Sequence, residues 1–141
     1  MDAQFFYNRG VEKSKTRDYL GAIEDYSKVI EMTSSSERRT ITTKHADGSV
    51  EHVDVIETSE GNTNAYFNRG CAYLDIRIYE AAIHDFSIVI KYTPEDAEAY
   101  FKRATAYYCL NKDEEANDDL ETAIKLNPQY SRDMFYGQFG G

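Results

Sequence analysis

Histidines, cysteines and paired carboxylates are where a chain of this size would keep its chemistry, and here they are few and scattered. His45 and His52 come close if the segment between them doubles back, with Asp47 and Asp54 nearby in sequence. Imidazoles and carboxylates can hold a transition metal. Exposed polar residues on a turn have the same composition, so the metal signal is weak and no metal or other cofactor is expected. His84 reads as a surface or boundary residue. Cys71 and Cys109 form no C-x-x-C clip, and two cysteines make no disulfide framework. Both read as reduced small hydrophobes. The chain has no G-x-S-x-G, no phosphate-cradling glycine loop and no H-E-x-x-H, so nucleophilic, phosphoryl-transfer and zinc-hydrolase templates lack their parts. The expectation is a chain that is not an enzyme.

Composition narrows the partners. A hydrophobic share of 41% with only 2 prolines places the 141 residues among folded chains and gives enough apolar surface for one domain with its own core. The formal charge of −9 repels phosphate backbones and anionic lipid, so nucleic acid is not expected as a partner. Much of the acid lies in Asp113, Glu114, Glu115, Asp118, Asp119 and Glu121, which reads as a solvated helix face. No apolar run reaches the roughly 18 to 20 residues of a membrane span, and the N-terminus lacks a basic segment followed by an apolar one. No membrane insertion is expected, and a cytoplasmic location is the default.

The elements that must position any site emerge when the chain is slid against itself. Tyr66 and Tyr100, Gly70 and Ala104, Tyr73 and Tyr107, Ala82 and Ala116, Phe86 and Leu120, Ile90 and Ile124, and Pro94 and Pro128 all stand 34 residues apart. An earlier copy aligns at a spacing of 60: Phe6 with Tyr66, Asn8-Arg9-Gly10 with Asn68-Arg69-Gly70, Ala22 with Ala82, Tyr26 with Phe86. Since 60 is 34 plus 26, an insertion of 26 residues separates the first two copies. Each copy reads as two amphipathic helices, over about 3–16 and 19–33, 63–76 and 79–92, and 97–110 and 113–126. Gly10, Gly70 and Ala104 on the first helices, and Ala22, Ala82 and Ala116 on the second, allow close approach, with large residues filling the grooves beside them. Pro94 and Pro128 stop the second helices.

These residues resemble the tetratricopeptide repeat, whose pattern is an aromatic, a small residue, a Tyr, an Ala, an aromatic and a closing Pro within one 34-residue unit. Repeats two and three carry nearly the whole pattern; repeat one has Lys13 at the Tyr position and Ser34 at the Pro position. The resemblance implies an all-α fold, an α-α superhelix of three helix pairs forming one domain over residues 1–141. Its expected parts are repeat one at 3–34, an insertion at 35–61, repeat two at 63–96, repeat three at 97–130 and a short C-terminal capping helix within 131–141.

Within the insertion, a Thr and Ile stretch, Asp47-Gly48 and a Val-rich stretch read as a β-hairpin. A two-residue turn at Asp47-Gly48 would set Lys44 opposite Glu51 and Thr42 opposite Val53. Met134, Phe135, Tyr136 and Phe139 read as the apolar side of a cap over the last repeat.

By the resemblance, the first helices line a concave groove that binds a segment of another protein. The inward positions would be Tyr7, Asn8 and Val11, then Phe67, Asn68, Cys71 and Leu74, then Phe101, Lys102, Thr105 and Tyr108. The rings offer apolar area at small entropic cost, and Asn8, Asn68 and Lys102 can hydrogen-bond an extended backbone. One subfamily holds acidic chaperone tails through a carboxylate clamp of Lys, Asn, Asn, Lys and Arg. Here Asn68 matches and Lys102 keeps a cation, but the other three positions are Tyr7, Val11 and Glu98, so no such clamp is expected. The expected function is an adaptor or scaffold; the alternative is a structural subunit that self-associates through the hairpin and the C-terminal tail.

Overall fold

The computed structural model describes residues 2–33, 36–58 and 63–139, without the side chains of 36–41, 43 and 51–58. The described helices are α1 (Ala3–Lys15), α2 (Tyr19–Thr33), α3 (Thr63–Asp75), α4 (Tyr79–Tyr92), α5 (Ala97–Cys109), α6 (Asp113–Leu126) and α7 (Arg132–Gly137). They pack as the pairs α1/α2, α3/α4 and α5/α6, with α2 against α3 and α4 against α5 joining the pairs in series. The first helices α1, α3 and α5 also touch side by side.

One core is written three times. Ala22, Tyr26 and Val29 on α2, Ala82, Phe86 and Val89 on α4, and Ala116, Leu120 and Ala123 on α6 are all buried. Each set returns every three to four residues, so one face of each second helix meets its first helix. The approach is close because an ideal Cβ on Gly10 would lie 2.8 Å from the Tyr26 ring, and one on Gly70 would lie 2.9 Å from the Phe86 ring.

The pairs turn the same way. Arg17, Arg77 and Asn111 take positive φ of 64°, 64° and 61°. The residue after each donates its N–H back to the ending helix: Asp18 to the Lys13 carbonyl at 2.8 Å, Ile78 to Tyr73 at 2.9 Å, Lys112 to Tyr107 at 2.9 Å. A left-handed residue that satisfies the last carbonyls is how a helix stops without proline.

The caps differ between repeats. Asp2, Asp96 and Ser131 accept from the third N–H of α1, α5 and α7, and Asp18 does the same for α2 through the Gly21 N–H at 3.1 Å. The N-caps of α4 and α6, Ile78 and Lys112, give no side-chain bond. Ile78 is exposed, so Ile78→Asp is expected to raise stability by about 0.5–2 kcal/mol. A urea midpoint that does not rise would show that this turn denies the carboxylate the geometry Asp18 has.

Repeat three closes on α7. Phe135 is buried beside Ala104 and Leu120, with Phe101, Tyr108 and Phe139 around it. Phe135 follows Phe101 by the same 34 residues that separate Phe101 from Phe67, so the repeat spacing carries on into α7 at this one ring.

The fold expected from the sequence needs one correction, at the insertion. The helical body is all-α, but the hairpin with a two-residue turn at Asp47-Gly48 is not seen. Strands β1 (Ser36–Lys44) and β2 (Val50–Thr58) pair antiparallel with Lys44 opposite Val50 and Thr42 opposite His52, not Glu51 and Val53. The reason lies in the loop. Gly48 N–H bonds the His45 carbonyl at 3.0 Å and His45 N–H bonds the Ser49 carbonyl at 2.9 Å, which centres the turn on Ala46-Asp47 and leaves Gly48 in the positive-φ position at 90°. The Asp47 carboxylate holds this form by accepting from the Ser49 N–H at 2.9 Å and hydroxyl at 2.6 Å. A three-residue loop of this kind shifts the register by one and re-pairs every residue along both strands. The two strands pair with each other and pack no helix extensively.

Candidate functional site

The wall that could bind is built from α1, α3 and α5, and a repeated ion pair ties each of them to the second helix of its repeat. In each repeat an arginine of the first helix grips an aspartate of the second with two parallel bonds. Arg9 Nε and Nη2 donate to Asp25 at 2.9 and 2.7 Å, Arg69 to Asp85 at 2.8 and 2.8 Å, and Arg103 to Asp119 at 2.6 and 2.7 Å. The remaining nitrogen ties neighbouring repeats: Arg69 Nη1 donates to Ser27 of repeat one at 3.1 Å, and Arg103 Nη1 to Ser87 of repeat two at 3.1 Å. Each guanidinium also lies over two rings of its own helix, Phe5 and Phe6 for Arg9, Tyr66 and Tyr73 for Arg69, Tyr100 and Tyr107 for Arg103. The guanidinium of Arg9, helped by Lys13, holds the Asp25 carboxyl below its ordinary range against the opposing effect of burial.

These pairs stand at the same 60- and 34-residue spacings as the aromatic and small positions. The signal was in the sequence, but a search by apolar period passes over it because Asp25, Asp85 and Asp119 sit on core faces that such a search reserves for hydrophobes.

The expected groove residues fall into separate places. Val11, Asn68 and Cys71 line a cleft of about 310 Å³ between α1 and α3, together with Ser14, Lys15, Tyr26, Ala72 and Asp75. Leu74, Phe101, Lys102 and Thr105 line a second, of about 270 Å³, between α3 and α5. Gln138 and Phe139 reach this second cleft from the tail: Gln138 Nε2 donates to Thr105 Oγ1 at 3.1 Å, and the Phe139 ring lies 4.5 Å from that of Tyr108.

Of the rings at the expected positions, Tyr7, Phe67 and Phe101 each pack on a ring of their own repeat while also lining a surface cleft. Tyr7 meets Tyr26 edge-on at 5.9 Å, Phe67 meets Phe86 at 5.6 Å, and Phe101 stacks on Tyr130 at 4.7 Å. Tyr108 packs against Phe135, Tyr136 and Phe139 of the C-terminal end. Asn8 lies outside both clefts and accepts from Gln4 Nε2 at 2.9 Å, whereas Asn68 Nδ2 donates to the Tyr7 hydroxyl at 2.9 Å and so bridges repeats one and two.

Burial pushes the Cys71 thiol up to about 11, which keeps it protonated near neutral pH. Among the described residues no three His, Cys, Asp or Glu side chains gather where a metal ion could sit. His84 is exposed, 3.7 Å from Asp85, and the His52 side chain lies outside the described residues. No helix among the described residues is long and apolar enough to cross a membrane.

Comparison with known proteins agrees with this geometry. Residues 97–130 match the tetratricopeptide repeat family. That match is confined to repeat three and gives the insertion at 35–61 no support. No curated protein matches the chain. Among solved structures, the Arabidopsis OM64 TPR domain superposes with a TM-score of 0.70 at 20% identity, over 92% of this chain and 86% of that one. The first TPR of Spaghetti (RPAP3), bound to the HSP90 peptide SRMEEVD, superposes with a TM-score of 0.72 at 20% identity, over 97% and 86%. The second TPR of the same protein, bound to the same peptide, gives 0.67 at 27% identity, over 90% and 94%. The third repeat is thus a tetratricopeptide repeat, and the chain carries three such helix pairs in the tetratricopeptide fold.

Proposed function

We propose that this chain is a protein-interaction scaffold that takes a segment of another polypeptide along the wall formed by α1, α3 and α5, without a clamp for an acidic tail. The observation that carries the reading is the pair of adjoining clefts, one lined by Val11, Asn68 and Cys71 and the other by Leu74, Lys102 and Thr105. Both mix apolar floor with polar side chains, which is the composition that holds an extended or helical segment. A protein of the same fold, the first TPR of Spaghetti (RPAP3), holds the acid-rich peptide SRMEEVD. This chain offers such a ligand Tyr7, Val11 and Glu98 where a clamp would place Lys, Asn and Lys. Removing two cations and adding a carboxylate turns attraction into repulsion.

Two measurements test this. Titration calorimetry with SRMEEVD is expected to give no binding heat. A random-peptide phage library panned on the chain is expected to yield binders of micromolar strength that Leu74→Glu releases, because a carboxylate in the second cleft must lose hydration when the cleft is covered. Tight binding of SRMEEVD, or selected peptides indifferent to Leu74→Glu, would overturn the reading.

A further inference from the structure

The two clefts are not equivalent, because of the three matching core residues on the second helices only the one in repeat one carries a hydroxyl. Tyr26 on α2 stands where repeats two and three have Phe86 and Leu120. Its ring does what Phe86 does, packing edge-on against the first-helix aromatic of its own repeat. Packing therefore accounts for the ring and not for the hydroxyl. It belongs to a side chain only 2% exposed, yet Tyr26 lines the cleft between α1 and α3. The hydroxyl meets the Asn68 side chain, and Ser14 Oγ is 3.4 Å away. That is long for two hydroxyls, which bond best at about 2.7–2.8 Å, so both have bonding capacity left. Asn68, on the facing helix, completes a floor of neutral groups that both donate and accept.

Charge at this cleft is balanced. Lys15 and Asp75 line it with opposite signs, and Lys15 already meets Glu12 at 3.4 Å. A charged tip entering here would lose hydration and meet Lys15 and Asp75 together, one of which repels it whichever sign it carries. An aliphatic tip would strip water from two hydroxyls and give nothing back. A side-chain amide does neither: its NH₂ and C=O can answer the Tyr26 and Ser14 hydroxyls, and its methylene stem has Val11, Cys71 and Ala72 to lie against.

We infer that the cleft between α1 and α3 is an anchor pocket for an uncharged amide-tipped side chain, asparagine or glutamine, of the bound segment, read by the Tyr26 and Ser14 hydroxyls with Asn68. This rests on the scaffold reading above and specifies its ligand.

Tyr26→Phe is the test, since it reproduces the ring that repeat two already carries; an unchanged helical circular dichroism spectrum checks that the fold holds. Peptides selected by the full chain from a random phage library should share an Asn or Gln at one position. Changing that residue to Leu or Glu should weaken binding about tenfold in calorimetry, and Tyr26→Phe should bind the Gln and Leu forms alike. Absence of a shared Asn or Gln, or a Tyr26→Phe chain that still prefers the amide, overturns the anchor pocket. If those same peptides are nonetheless released by Leu74→Glu, the groove reading stands and only the pocket falls. A library that yields no binders removes both.

Discussion

Asp85→Ala lowers stability by about 3–5 kcal/mol, the loss expected when one member of a buried pair is removed and the other is left desolvated. Asp85 is 1% exposed and the Arg69 side chain 16%, so the guanidinium has little access to water once its two bonds are gone. Its position over Tyr66 and Tyr73, and its bond to Ser27, hold it in place and keep it from swinging out. Asp119→Ala behaves similarly, because Arg103 is 18% exposed and held in the same way. Asp25→Ala costs less, on the order of 1–2 kcal/mol. Arg9 is 43% exposed and has no Ser from a preceding repeat, so it rehydrates when released, as does Lys13. Urea unfolding of the three variants measures the order directly. Three equal losses would mean that burial of the arginine does not set the cost, and a loss under about 1 kcal/mol at Asp85 would mean that the pair is replaceable by water.

That ladder also explains which parts of the molecule could be read in advance. Helices were legible because the same residue types return at fixed spacing, and three weak local signals that agree are worth more than one. The helix pairs followed from the small positions Gly10, Gly70 and Ala104, which require close approach whatever the turns do. The loop at Asp47-Gly48 was harder: the same two residues suit a two-residue turn or a three-residue loop, and what decides is the Asp47 carboxylate bonding Ser49, a contact no pattern of alternation encodes. The aromatics Tyr7, Phe67 and Phe101 read equally well as core or as ligand contacts, since both roles ask for the same side chain on the same stripe. In the structure each does both, packing on Tyr26, Phe86 or Tyr130 while lining a surface cleft. Asn8 and Asn68 look alike in sequence, yet one bonds Gln4 within α1 and the other bonds Tyr7 across two repeats.

Gly70→Ala tests the close approach on which the wall depends, and its expected loss is about 1–3 kcal/mol despite a change that favours helix elsewhere. In an open helix the substitution would gain about 1 kcal/mol. Here the new methyl would meet the Phe86 ring at 2.9, 3.0 and 3.2 Å, and Phe86 is fully buried, so α3 and α4 must move apart. Repeat three shows the alternative solution, with Ala104 at the glycine position and Leu120 at the aromatic one. The volume added on one helix is removed from the other. Gly70→Ala combined with Phe86→Leu should therefore recover much of the loss, with a coupling energy of about 0.5–3 kcal/mol between the two changes. The recovery is incomplete because Phe67 loses its edge-on partner when Phe86 goes. Phe86→Leu alone leaves a gap over Gly70 and costs more than its lost contact area. Additive effects in the double-mutant cycle would show that the notch does not set the spacing of α3 and α4, and the clefts on either side of α3 would then need another origin.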